Sequence, residues 1–252
     1  MTRRRWIADE INGDTATLTG EHAGHLSRVL RAQVGQEFDI AVDGMVRQGT
    51  ITSIAEERVE FALGAQIETK ATAHLTLALA IFKFDRMEWA IEKCTEIGVA
   101  RIIPVVARRT ESHLAAAAGK RHERWLRLVR QAAEQSRRVA TPEISAPIGL
   151  KELCSAGARP ALASQKNGAV VTHSAATRVV LAESEKKMGL RDALPLTATE
   201  AVLAVGPEGG WTEDELRLFC ESGWAMASLG NTILRAETAA IVGTALAVEI
   251  LS

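Results

Sequence analysis

Val202-Leu203-Ala204-Val205-Gly206-Pro207-Glu208-Gly209-Gly210 is the stretch whose reading decides the fold. A short apolar run closed abruptly by a glycine/proline cluster is the pattern of a buried strand entering a tight loop. Just beyond it, Thr212 and Glu215 stand at capping-box spacing, which predicts a helix over 213–222 that Gly223 ends. A second strand is expected at 225–229, running into Leu229-Gly230-Asn231, with a long helix from about Thr232. Strand, glycine loop and helix thus occur twice in succession, the grammar of a ligand site at the carboxyl ends of parallel strands.

Upstream, the same alternation continues. Leu75 to Phe82 reads as a strand, and Met87, Ala90, Ile91, Cys94 and Ile97 share one helical face before Gly98. Ile102 to Val106 is strand again, and Trp125, Leu128, Val129, Ala132 and Ser136 form the inward stripe of a helix ended before Pro142. Weaker strands are expected at 160–164 and 178–182. These lengths predict an α/β domain, a mostly parallel sheet with helices on both faces. The polar, unpatterned segment Glu68 to Ala73 is the expected boundary, giving domains 1–70 and 74–252. Before it, Glu37 to Val42 alternates with period 2, Asp43-Gly44 signals a turn, and Val46–Ile54 and Val59–Leu63 continue the pattern. Short strands at this spacing predict a small β-barrel. A short helix from about His22 to Arg31 should turn Leu26, Val29 and Leu30 inward and place His25 and Arg28 on one face.

With 252 residues, 47% of them hydrophobic, the chain is long enough for one large or two modest cores. A net charge of −1 gives no argument for nucleic acid, but its distribution does. Residues 101–138 carry ten Lys/Arg against three acids, a candidate footprint for a phosphate backbone. The alternative is a solvated helix face with countercharges elsewhere in the fold. Three widely spaced cysteines, Cys94, Cys154 and Cys220, support neither a disulfide framework nor a zinc site, and suit a reducing compartment. No metal is expected. The basic start Met1-Thr2-Arg3-Arg4-Arg5 lacks a following apolar segment, and the apolar stretch near 238–248 is too short to span a bilayer. A cytoplasmic protein without membrane attachment is the expectation.

Glycine loops that open into helices offer unpaired N–H groups, which favours an anion or a nucleotide. Neither loop carries the dinucleotide or P-loop fingerprint. One such loop alone is as readily an ordinary turn; two, carrying Glu208, Arg235 and Glu237 beside the glycines, argue for a site. No G-x-S-x-G occurs, so nucleophilic serine catalysis has no support.

Gly206-Pro207-Glu208-Gly209-Gly210 followed by Leu229-Gly230 and Ile233-Leu234-Arg235-Ala236-Glu237-Thr238-Ala239 resembles the RsmE family. These are SPOUT-class, S-adenosylmethionine-dependent methyltransferases that modify uracil N3 in 16S ribosomal RNA. Lys83 to Glu88 with Lys93 to Val99, Arg108 to Ser112, and Trp125 with Ala132 to Arg138 match further blocks of that family. Arg5-Trp6 and His25 to Arg31 resemble its N-terminal PUA-like domain. The likeness covers nearly the whole chain and is thinnest over 145–177. Thr232 stands where the family often has a basic residue.

The resemblance implies a trefoil-knotted catalytic domain behind a PUA-like β-barrel, and a homodimer whose active sites are completed by the partner subunit. It implies 16S rRNA, free or in the assembled small ribosomal subunit, as substrate, and S-adenosyl-L-methionine as cofactor. The cofactor would lie among Leu181-Ala182-Glu183, Val205 with Gly206, Pro207, Gly209 and Gly210, and Leu229-Gly230 with Ile233, Leu234 and Arg235. RNA contacts are expected from Arg5, His25, Arg28 and Arg31, and in the basic segment from Arg108, Arg109, Arg137 and Arg138. Uracil N3 becomes a nucleophile only when its proton leaves and charge spreads onto O2 and O4. A positioned cation would stabilise that charge, and Arg235 is the candidate. Glu208 and Glu237 are candidates to take the proton. Equally, Glu208 could fix its loop by accepting backbone N–H bonds, and Glu237 could be a helix first-turn carboxylate. Two other classes stay open: a nucleotide-dependent α/β enzyme, and a non-enzymatic RNA-binding or ribosome assembly protein.

Overall fold

Residues 5–68, 73–155 and 176–252 are described by the computed structural model. They divide into two compact units, 1–71 with 130–141, and 72–129 with 142–252.

In the first unit, strands β1 (Arg5–Ile7), β2 (Glu10–Asn12) and β3 (Thr15–Thr19) precede helix α1 (Gly20–Gly24). Strands β4 (Glu37–Val42), β5 (Met45–Ala55) and β6 (Arg58–Ile67) follow. They form one sheet in the order β1-β4-β5-β6-β3-β2, antiparallel except where β1 pairs β4. Asp43 and Gly44 both have positive φ (49° and 75°), the geometry that lets a two-residue hairpin follow the strand twist. Trp6, Leu18, Leu26, Ile40, Ile51 and Phe61 close the core on the inner face.

The short helix expected over His22 to Arg31 needs correction. α1 passes directly into a π-helical turn, His25–Val29. Of the three apolar residues expected to face inward only Leu26 is buried, while Val29 is 66% and Leu30 38% exposed. A π turn holds more residues than an α turn, so side chains three and four apart no longer share a face.

Residues 130–141 group with this unit through a polar cluster. Arg130 donates to the Asp9 carboxylate and, at 2.9 Å, to His22 Nδ1. With Nδ1 accepting, His22 Nε2 carries the proton and faces Glu134 Oε2 at 2.9 Å. Helical periodicity assigns a segment no neighbours, so the sequence placed these residues with the later domain.

The second unit is a parallel sheet. Its strands are β7 (His74–Ala80), β8 (Arg101–Val106), β9 (Glu143–Ile144), β10 (Ile148–Gly149), β11 (Thr177–Leu181), β12 (Glu200–Val205) and β13 (Ala225–Ala227). The order is β10-β8-β7-β12-β11-β13 with β9 beside β8, and every pairing is parallel. Helices α2 (Phe84–Ile97), α3 (Ser112–Gln135), α4 (Leu150–Ser155), α5 (Leu190–Ala193), α6 (Glu213–Glu221) and α7 (Ala236–Leu251) connect them. Along central β12 the side chains divide with period 2. Ala201, Leu203 and Val205 join the layer that holds Met87, Trp125 and Ala240, and Val202 and Ala204 join the layer of Leu153, Trp211 and Phe219. With both faces covered, the strand reads as the continuous apolar run seen in the sequence. No helix among the described residues is long and apolar enough to cross a membrane.

Two boundaries differ from expectation. β13 ends at Ala227 rather than 229, and α7 starts at Ala236 rather than about Thr232. Between them Gly230 has φ +121°, and Asn231, Thr232 and Ile233 are exposed. Ile233 is 77% exposed and meets no core, so the helix begins where Ala236 and Ala240 do. The strand expected at 160–164 lies outside the described residues.

Candidate active site

The carboxyl ends of β11, β12 and β13 converge on a cavity of about 300 Å³. Leu181, Ala182 and Glu183 line it from the end of β11, and Val205, Gly206, Pro207, Glu208, Gly209 and Gly210 from the end of β12. Leu229, Gly230, Ile233 and Leu234 line it from the loop before α7. Arg235 and Glu237 are not among its lining residues. Trp211, Lys186 and Arg109 are, and none was expected as a cofactor residue. Trp211 follows the glycine pair and Lys186 follows Glu183 in the sequence, whereas Arg109 reaches the cavity only by tertiary folding.

Each glycine of the β12 loop has its own reason. Gly210 has φ +68°, a conformation that L side chains avoid. A Cβ on Gly206 would lie 3.2 Å from Trp211 Nε1, and one on Gly209 would lie 3.2 Å from Arg109 Cδ. Both are therefore glycine so that protein can pack against them, whereas the sequence suggested close approach by ligand. The loop then enters α6 through the expected capping box. Glu215 N donates to Thr212 Oγ1, and Thr212 N donates to Glu215 Oε2 at 2.8 Å. The other oxygen, Glu215 Oε1, accepts from Arg108 N at 2.6 Å, so the box also ties in the turn after β8. That turn is anchored below by Thr110, whose Oγ1 donates to Ile81 O at 2.9 Å.

The charged rim is mostly acidic: Glu183, Glu208 and Glu213 against Arg109 and Lys186. Glu208 is exposed and accepts no hydrogen bond among the described residues, so its carboxylate does not fix the loop. Gly210 N, donating to Pro207 O at 2.8 Å, closes the turn instead. Arg235 is the N-cap residue of α7, extended at ψ 153° and exposed, and it pairs with neither Glu208 nor Glu237. Glu237 is 5% exposed. Its Oε1 lies 3.9 Å from Arg86, and its Oε2 has no hydrogen-bond partner among the described residues.

The expected RNA residues are scattered in role. Arg28 and Arg31 are exposed, and Arg31 holds φ +49°. His25 packs against the Trp6 ring at 5.9 Å. Arg5 is drawn inward, 3.7 Å from Asp39 and donating to Arg137 O. Arg108 and Arg137 are exposed, while burial pushes the Arg138 guanidinium down to about 10. Much of the basic segment finds its countercharges within the fold. Arg101 meets Glu143, Arg121 and Arg124 meet Glu88, and Arg130 meets Asp9 and Glu134. The surplus of charge is therefore not one exposed stripe.

The RNA methyltransferase domain family model matches residues 69–248. Ribosomal RNA small subunit methyltransferase E of Synechocystis sp. is 32% identical, over 97% of this chain and 77% of that protein. The enzyme of the same name from Rickettsia conorii is 30% identical, over 93% and 89%. The chain belongs to the ribosomal RNA small subunit methyltransferase E family. A solved member of this family, from Neisseria gonorrhoeae and bound to S-adenosyl methionine, superposes with a TM-score of 0.78. It is 27% identical, with 97% of this chain and 96% of that one covered. Membership makes the protein an RNA methyltransferase and gives the second unit the SPOUT-type α/β fold expected from its motifs.

Proposed function

We propose that this protein transfers the methyl group of S-adenosylmethionine to N3 of a uracil in 16S ribosomal RNA, free or in the assembled small subunit. The observation that carries this reading is the convergence of three loops on one cavity at the strand ends. Its residues fit the cofactor. Leu181, Leu229 and Leu234 supply apolar walls for the adenine, and a Cβ on Gly230 would meet no protein atom within 4 Å, leaving main chain open there. The acidic rim suits a ligand that carries ammonium and sulfonium charge and no phosphate, and argues against a nucleotide-dependent enzyme. A purely RNA-binding protein would leave such a cavity without a purpose.

The bound cofactor supplies an electrophilic methyl group on a sulfonium. This chain's own residues prepare the other partner. Glu208, exposed at the rim and uncommitted to its loop, takes the N3 proton as the N–CH₃ bond forms and the sulfonium–carbon bond breaks. Arg235, exposed at the start of α7 and without an ion pair among the described residues, faces the charge that spreads onto O2 and O4. Glu237 is too buried to meet a base and acts as a carboxylate in the first turn of α7, beside Arg86. Calorimetry with S-adenosylhomocysteine and radiolabel transfer to small-subunit RNA test the reading. Binding of ATP or NAD in place of S-adenosylhomocysteine would overturn it.

RNA is gripped by exposed cations, Arg28 and Arg31 foremost. Alanine at either position should weaken RNA binding and lower its salt dependence by about one unit of slope, with cofactor affinity unchanged. Filter binding across a salt series checks this; unchanged affinity and slope would assign the π-helical turn another purpose.

The working unit is a homodimer, supported by apolar surface on the packed pair α2 and α7, where Trp89 is 49% and Val242 36% exposed. Ile241, Val248 and Leu251 pack on their own core, and Ile233, 77% exposed, precedes the helix. Sedimentation at micromolar concentration should give a dimer, and an active monomer would refute it.

A further inference from the structure

Arg109 leaves the turn after β8, lines the cavity and meets the β12 loop there. Its guanidinium donates to Gly209 O and, at 3.4 Å, to Trp211 O. Its aliphatic stem fills the space that a Gly209 side chain would take, Cδ lying 3.2 Å and Cβ 3.6 Å from an ideal Cβ. Gly209 does not have positive φ, so what a side chain there would meet is this stem. The turn itself is immobilised on both sides, by Arg108 N on Glu215 Oε1 and by Thr110 Oγ1 on Ile81 O. Arg109 is thus a fixed post from which two carbonyls of the loop are held.

We propose that Arg109 is a positioning residue for the cofactor: it clamps Gly209 and Trp211 so that the loop from Gly206 to Trp211 keeps the shape of the cavity wall. This rests on the cofactor reading given above and departs from the RNA contact expected of Arg109 from the sequence. A charge-assisted bond to a carbonyl outweighs a neutral one, and both bonds leave Nη1, which carries two N–H donors. Lysine also carries several donors, but on a flexible stem that is not pre-organised toward these carbonyls, so it holds them less firmly.

The test is calorimetric binding of S-adenosylhomocysteine to Arg109→Ala, Arg109→Lys, Gly209→Ala and the double variant, with RNA affinity measured alongside. Arg109→Ala should bind the nucleoside about tenfold more weakly, with Arg109→Lys between it and the unmodified protein. Gly209→Ala should weaken binding alone, because its methyl displaces the arginine stem, and should add little once Arg109 is gone. Affinity for a small-subunit RNA transcript and its salt slope should stay unchanged throughout. Intact nucleoside binding in Arg109→Ala, with RNA affinity and salt slope reduced, would make Arg109 a phosphate contact and overturn the proposal. Full additivity of the two substitutions would overturn it as well, since it would place the residues in separate interactions. Failure of the unmodified protein to bind S-adenosylhomocysteine would remove this proposal together with the reading beneath it.

Discussion

Arg235→Ala is expected to lower single-turnover methyl transfer roughly a hundredfold while S-adenosylhomocysteine affinity changes less than about twofold. The split follows from where the residue sits. Arg235 is outside the cavity lining, so its truncation leaves the cavity walls in place. It is exposed, makes no side-chain cap bond to α7 and has no ion pair among the described residues, so stability should move by less than about 0.5 kcal/mol. What remains for it is charge that exists only as the uracil loses its proton. An interaction made in the transition state alone lowers turnover without touching ground-state binding. Arg235→Lys should recover part of the rate, because a point charge stabilises the oxyanion without the planar fork. Rapid-quench transfer to small-subunit particles, with melting curves for each variant, provides the measurement. Normal turnover, or a defect matched by lost cofactor affinity, would return Arg235 to a structural role.

That prediction depends on features of unequal legibility. The run Val202 to Val205 and the glycine cluster after it carried the strand, the loop and the cavity, because a strand buried on both faces writes its environment directly into residue type. The capping box of Thr212 and Glu215 was equally plain, being local. Local patterning was silent where partners come from far along the chain. The Arg101–Arg138 segment read either as a phosphate footprint or as a face with countercharges elsewhere, and only the fold identifies Glu88 and Asp9 as those countercharges. Glu208 and Glu237 looked alike as acids beside glycines. Burial separates them, one open at the cavity rim and the other 5% exposed beside Arg86. The π turn at His25–Val29 defeated helical spacing by its own geometry, and no residue type announces it.

Gly243→Val should damage both stability and cofactor binding, for a reason that lies behind the cavity. Gly243 is buried midway along α7, and a Cβ there would stand 3.0 Å from Leu203 Cδ2, 3.2 Å from Leu181 Cδ1 and 3.9 Å from Leu229 Cδ1. Leu203 belongs to central β12, and Leu181 and Leu229 are cavity walls. Alanine asks only that the ends of flexible leucines yield a few tenths of an ångström, and it gains about 1 kcal/mol of helix propensity over glycine. Gly243→Ala should therefore be close to neutral. Valine adds two further methyl groups with one preferred rotamer and no room for either. Either α7 lifts from the sheet, or Leu181 and Leu229 are driven into the cavity. Overpacking of this kind costs about 1–3 kcal/mol, and the narrowed cavity should weaken S-adenosylhomocysteine binding at least roughly tenfold. Ala245→Val on the exposed face of the same helix separates packing from propensity, since it adds a β-branched residue where nothing is crowded. Urea unfolding and calorimetry on the three variants give the answer. If Gly243→Val unfolds and binds as Ala245→Val does, the close approach of α7 does not set the wall of the cavity. If it loses binding far beyond its loss of stability, the helix that closes the core also sets the shape of the site.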